Sequence, residues 1–207
     1  MKQKLNIDSW NRKDHFYFFN QFEEPFFGIC TNIDCTIAYA KAKEMQESFF
    51  LYYLFHSIHA ANLIEPFRYR IDNEEVIIHS FINASATINR PNGTFGFSNI
   101  IYNASFDTFK INAKKEIERV QCSEGLEAMN TSENVIHYSS IPWINFTALS
   151  HARSFSFKDS IPKISFGKMT EINGKKTMPM SVHVHHALMD GFHVGEYINL
   201  FQELMNQ

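Results

Sequence analysis

The run Met178-Pro179-Met180-Ser181-Val182-His183-Val184-His185-His186-Ala187-Leu188-Met189-Asp190-Gly191-Phe192-His193-Val194-Gly195 decides the fold of this 207-residue chain. Met178, Met180, Val182 and Val184 fall at every second position, the period of a strand with one buried face. The period then changes, and Val194, Tyr197, Ile198, Phe201, Leu204 and Met205 recur at helical spacing. Asp190 is a good N-cap and Gly191 permits a sharp entry, so a helix is expected to begin just after Asp190. His185, His186 and Asp190 therefore fall where a strand hands over to a helix. An exposed imidazole braced by such a scaffold can act as a general base. Ten histidines make some adjacency expected by chance, and a zinc site needs further ligands at matching spacing, which do not stand out nearby. No metal is expected.

Composition sets the outer bounds. At 44% hydrophobic and 20% charged, 207 residues suffice for one domain, 1–207, with a substantial core. Aromatics reach 15%, with 21 Phe, which suits apolar pockets or a buried oligomer interface. A formal charge of −3 gives no electrostatic case for nucleic acid or for an anionic membrane. Cys30, Cys35 and Cys122 are odd in number and widely spaced, and read as free thiols in a reducing compartment. The N-terminal stretch lacks an apolar signal core and no segment is long and uncharged enough to span a bilayer, so a cytoplasmic location is expected.

Patterns along the chain predict mixed α and β structure, and few βαβ units favour the α+β class. Helices are expected over Asp8–Asn20, with Trp10, His15, Phe18 and Phe19 as buried candidates, over Cys35–Ser48 and over Phe49–Asn62. Phe49-Phe50-Leu51-Tyr52-Tyr53-Leu54-Phe55 is apolar all round and reads as a core or interface helix. A further helix is expected over Phe106–Gln121, with Phe106, Phe109, Ala113, Ile117 and Val120 on one face. Strands are expected over Phe26–Asn32, Arg68–Ile71 with Glu75–Phe81, Ala86–Ile88, Thr94–Tyr102 and Val135–Ser140. More are expected from Asn145–Thr147 onward and over Ser154–Phe157, Pro162–Met169 and Lys176–His185. Asn173-Gly174 is a strong hairpin turn between the last two. Gln121–Glu133 reads as a polar loop.

The pattern His185-His186-x-x-x-Asp190-Gly191 resembles the signature of the CoA-dependent acyltransferases. Phe192-His193-Val194-Gly195, Trp10-Asn11-Arg12-Lys13-Asp14-His15-Phe16 and Ile141-Pro142-Trp143-Ile144-Asn145-Phe146 narrow the resemblance to the chloramphenicol acetyltransferase family, over essentially the whole chain. It implies an α+β two-layer sandwich in which helices cover a large mixed sheet, assembled as a homotrimer with active sites between subunits. It also implies an acetyl-CoA-dependent O-acetyltransferase acting on chloramphenicol or a similar alcohol, with antibiotic resistance as the associated role.

Residue by residue, the resemblance makes His186 the general base that takes the acceptor's hydroxyl proton. Its ring would be oriented by its own backbone carbonyl. Arg12 would pair with Asp190 and fix the turn without moving protons. Ser139 would bind the oxyanion, with the adjacent Ser140 as the other alignment. Ser165 would stand for a threonine that holds a water, and Lys168 would lie on the CoA side or be a solvated lysine. Phe18, Phe19, Phe27 and Phe95 agree with acceptor-pocket positions. Glu23, Phe97, His137, His151 and Arg153 depart from them and make the pocket more polar. That puts chloramphenicol itself in question and keeps three other readings open: transfer to a more polar alcohol, a catalytically silent small-molecule-binding trimer, and a dihydrolipoyl acyltransferase core. Against the last, no lipoyl or peripheral-subunit-binding segment is read upstream, and the Trp-x-Arg-x-x-His-Phe motif belongs to the other branch.

Overall fold

The computed structural model describes residues 2–126, 133–156 and 158–207. Its elements in order are β1 (Lys2–Lys4), α1 (Lys13–Phe19), β2 (Phe26–Asp34), α2 (Thr36–Glu44), α3 (Phe49–Leu63), β3 (Tyr69–Asp72) and β4 (Glu75–His79). Then follow β5 (Asn83–Asn89), β6 (Phe95–Phe97), α4 (Phe106–Cys122), β7 (Val135–Ser140), β8 (Lys163–Phe166), β9 (Thr170–Ile172), β10 (Lys175–His185) and α5 (Gly191–Met205). The class is α+β. A mixed sheet runs β2-β10-β8-β7-β5-β6, with β9 paired to β10, and a small antiparallel sheet runs β1-β4-β3. Among the described residues only β5–β7 and β7–β8 pair in parallel.

β10 is the longest strand and sits between β2 and β8. Its alternation sorts the two faces. Met178, Met180, Val182 and Val184 are buried, and Ile136, Tyr138, Ile164 and Phe166 join them on β7 and β8. Helices α3 and α5 cover this face: Tyr53 and Phe201 both pack on Phe166. Pro179 is tolerated inside β10 because its carbonyl accepts from Gly167 N–H at 2.9 Å. Its nitrogen side thus faces the break between β8 and β9, where no ladder bond is lost. Asn173 and Gly174 both take left-handed backbone angles and form the expected turn into β10, but the strand before it is the separate short β9, since the expected Pro162–Met169 strand ends as β8 at Phe166.

α3 is buried through Leu51–Phe55, as its all-round apolarity requires. Inside the core it carries Ser57, whose Oγ lies 2.5 Å from Tyr197 Oη and 3.0 Å from Tyr138 Oη. This triad ties α3, α5 and β7 together without leaving a buried hydroxyl unpaired.

Several expectations differ in detail. The first helix is a 3-10 turn at Ile7–Ser9 followed by α1, and the buried residue is Phe16, while His15 and Phe18 are exposed. The second helix ends at Glu44, and the sixth strand stops at Phe97, leaving a single bridge at Ile100. Neither Asn145–Thr147 nor Ser154–Ser156 is a strand. That segment crosses the sheet's other face as a loop held by side chains, such as His151 edge-on to His183. Phe157 and residues 127–132 of the expected polar loop lie outside the described residues. No helix among the described residues is long and apolar enough to cross a membrane.

Ser57→Ala should destabilise the chain by about 1–3 kcal/mol, because it removes a buried hydrogen-bond partner that two tyrosine hydroxyls share. Urea unfolding reads this directly; an unchanged midpoint would show that the triad is idle.

Candidate active site

The corner after β10 is built around Asp190. Its carboxylate caps α5 by accepting from Phe192 N–H at 3.0 Å, and the same oxygen lies 2.9 Å from His193 Nδ1. The other oxygen is ion-paired with Arg12 Nη1. Arg12 Nη2 reaches the backbone carbonyl of His186 at 3.3 Å. Residues 178 positions apart are thereby clamped together. Burial acts to raise the Asp190 carboxyl, but the hydrogen bond and charge of Arg12 outweigh it and hold the group below its ordinary range.

The two histidines of the motif differ sharply. His185 is buried against Phe26, and burial pushes its pKa down to about 4, so it is neutral and structural. His186 is half-buried. Its backbone N–H donates to Pro25 O at 2.8 Å. Its ring stacks on Phe19, with centroids 3.9 Å apart and planes 10° apart, and leans on Phe27 at 4.6 Å. Nδ1 is buried with no hydrogen-bond partner among the described residues, which leaves Nε2 as the nitrogen open to a reactant. The expected hydrogen bond to the residue's own carbonyl is not formed among the described residues, and that oxygen accepts from Arg12 Nη2. Aromatic stacking and the pinned backbone set the ring instead.

A second group lies elsewhere on the sheet. Ser139 and Ser165 are register partners on β7 and β8, and Ser165 is in turn opposite Ser181 on β10. Ser165 is fully buried, yet its Oγ has no partner among the described residues. Such a hydroxyl calls for a water or a ligand atom. Ser140 points to the helical face and bonds Tyr53 Oη at 2.9 Å, so of the two adjacent serines it is Ser139 that shares a face with Ser165. Lys168 is exposed and forms no ion pair among the described residues.

These two groups do not meet within one chain. From Ser181 to His186 is five residues along β10, and Ser139 is two strands away, which by strand geometry separates them by about 19 Å. The aromatic residues divide likewise. Phe19 and Phe27 touch His186, and Phe18 packs on Phe19 while staying 59% exposed. Phe95 is on β6, five strand positions from β2 and so about 24 Å across the sheet.

Of the positions that depart from the resemblance, Phe97 lies on β6 with its ring against Phe95, and the other four lie beside the sheet's open face. Arg153 is ion-paired with Glu24 and lies over the Phe26 ring at 3.9 Å. Glu23, Arg153 and His185 line one cleft, and His137, Arg153 and Lys163 line a neighbouring one. Three contributors went unrecognised in the sequence. His193 is signalled by its place three residues after the N-cap. Pro25, through its carbonyl, and Lys163 are placed by register and loop path, which leave no local signature.

A family model described as chloramphenicol acetyltransferase matches residues 2–202. The chain is 28% identical to chloramphenicol acetyltransferase 3 of Escherichia coli over 98% of this chain and 96% of that one. It is 30% identical to a chloramphenicol acetyltransferase of Clostridium perfringens over 97% and 93%. Among solved structures, a chloramphenicol acetyltransferase superposes with a TM-score of 0.91 at 30% identity, covering 99% of this chain and all of that one. A dihydrolipoamide acetyltransferase of Azotobacter vinelandii shares the fold, with a TM-score of 0.69 at 13% identity. Match over nearly the whole length, by sequence and by structure, shows that this chain belongs to the chloramphenicol acetyltransferase family, whose named members are acetyl-transferring enzymes.

Proposed function

We propose that the chain, acting as one unit over 1–207 in the cytoplasm, is an acetyl-CoA-dependent O-acetyltransferase whose active sites lie between copies of a homotrimer. The observation that carries this reading is the state of His186: its backbone is pinned at both ends, its ring is stacked, and Nε2 is open. As the acceptor oxygen attacks the thioester carbonyl, Nε2 takes the hydroxyl proton. When the C–S bond breaks, the same nitrogen returns the proton to the CoA thiolate. Ser139 donates to the oxyanion formed on attack. Ser165 Oγ, buried and unpaired, holds a water beside it, and Lys168 meets the CoA side. Arg12 and Asp190 position the ring and do not move protons.

The separation of about 19 Å between His186 and Ser139 supports a shared site. In this reading His186 of one copy meets Ser139, Ser165 and Phe95 of the next, as heterologous contacts closing into a ring allow. Chloramphenicol is the first acceptor to test. A more polar alcohol is the second reading, favoured by Glu23, His137, His151 and Arg153 beside the open face.

His186→Gln should lower thiol release from acetyl-CoA by about 10²–10⁴ with CoA affinity kept. Unchanged turnover over an alcohol panel that includes chloramphenicol would refute the assignment. Ser139→Ala should cost about 10²–10³ in turnover, and Ser140→Ala far less; a reversed order would move the oxyanion donor to Ser140. Asp190 is depressed in the folded state, so its contribution to stability is present above the ordinary carboxylate value of about 3.9 and fades as pH falls toward the folded value. Asp190→Asn should therefore unfold at lower denaturant than the parent at pH 7, with the gap closing as pH falls below that value.

A further inference from the structure

Two rows of side chains run side by side on the open face of the large sheet. One is Ser139, Ser165 and Ser181. The other, two residues away on each strand, is His137, Lys163 and His183. Two residues of extended chain span about 7 Å, so a small molecule with its hydroxyl at Ser139 reaches the second row.

That row is built with care for its polar groups. Lys163 is buried, an unfavourable place for an ammonium, and is ion-paired with Asp159 while bonding Ile161 O at 3.0 Å. His183 Nδ1 lies 2.9 Å from Ser181 Oγ, the ring also hydrogen-bonds the backbone of Leu149, and it fills the space that a Cβ on Gly28 would occupy, so it shapes the row and leaves donation to its neighbours. His151 closes over it edge-on at 4.7 Å, with Nε2 buried and unpartnered among the described residues. The adjoining cleft, of about 360 Å³, is lined by Arg70, Arg153, Lys158 and Lys163 against two carboxylates, Glu133 and Asp159. Burial, with Lys163 next in weight, lowers the His137 pKa to about 4; burial lowers that of His151 to about 4 as well, with His183 and then Lys163 adding to it. Both rings are therefore neutral at pH 7, each with an N–H to give. An apolar acceptor would cover these groups without pairing them. An anion would accept from the imidazoles and gain from the cationic surroundings.

We propose that the acceptor is an alcohol that also carries an anionic group, a carboxylate or a phosphate, seated on the His137–Lys163–His183 row beneath His151 while its hydroxyl lies at Ser139. This rests on the acetyl-transfer reading above. Two matched pairs of probes separate the anion sources: N-acetylserine against its neutral amide, and glycerol 3-phosphate against glycerol. Calorimetric titration of the full chain should show the anionic member of one pair binding at least about tenfold tighter than its neutral partner. His151→Leu, at a loop position, and the double substitution Lys163→Met with His137→Leu should each bring that ratio below about threefold in protein with an unchanged circular dichroism spectrum. Equal or tighter binding of the neutral member in both pairs, no binding of either anion at millimolar concentration, or a ratio kept in the folded variants would each overturn the proposal. Thiol release from acetyl-CoA, with water or with any alcohol of the panel, tests the underlying reading separately. If release depends on His186 and the anion preference is missing, only the acceptor assignment falls. If release is indifferent to His186→Gln, both fall.

Discussion

One carboxylate holds the corner on which the rest depends. Asp190 starts α5 with one oxygen and receives Arg12 on the other. Arg12 passes that constraint to the backbone of His186. A guanidinium suits the task because its fixed fork can bridge a carboxylate and a carbonyl at once. The pair is partly buried, with side chains 11% and 32% exposed, so removing one partner leaves a charge that water only partly compensates. The cost therefore lies below the roughly 3–5 kcal/mol of a fully buried pair. Its larger consequence is geometric. The imidazole sits between Phe19 and Phe27 only while the backbone beneath it stays put.

The register of the large sheet supplies the second constraint. Pairing of β10 with β8, and of β8 with β7, puts Ser139 far from His186 on the sheet. No side-chain rotation covers a gap of about 19 Å. Acetyl transfer needs base and oxyanion donor within hydrogen-bond reach of the same reacting centre. With the roles proposed above for His186 and Ser139, a chain that holds them this far apart completes its site only when a second copy brings the other half.

Much of this was legible in the sequence, and the limits have physical causes. The change of period at Asp190, the Asn173-Gly174 turn and the inward face of α4 are local patterns, and they appear where expected. Arg12 beside Asp190 followed from a resemblance of spaced motifs, since no local rule links residues so far apart. The failures are non-local. Asn145–Thr147 has strand-like composition, but the chain there crosses a sheet face already paired on its edges, and tertiary contacts override propensity. Phe16 and not Phe18 enters the core because α1 is short and presents a single face. His137, Lys163 and His183 look unrelated in the sequence, and only strand register aligns them.

In the proposed mechanism His186 of one copy works with Ser139 of another. The most direct measurement is acetyl transfer by mixed oligomers, formed by co-expressing His186→Gln chains with Ser139→Ala chains. A shared site predicts that activity returns, to about a quarter of the wild-type level for equal random mixing in a closed ring, although each parent alone is nearly inactive. Activity no greater than the sum of the two parents, in oligomers shown to contain both chains, would contradict it.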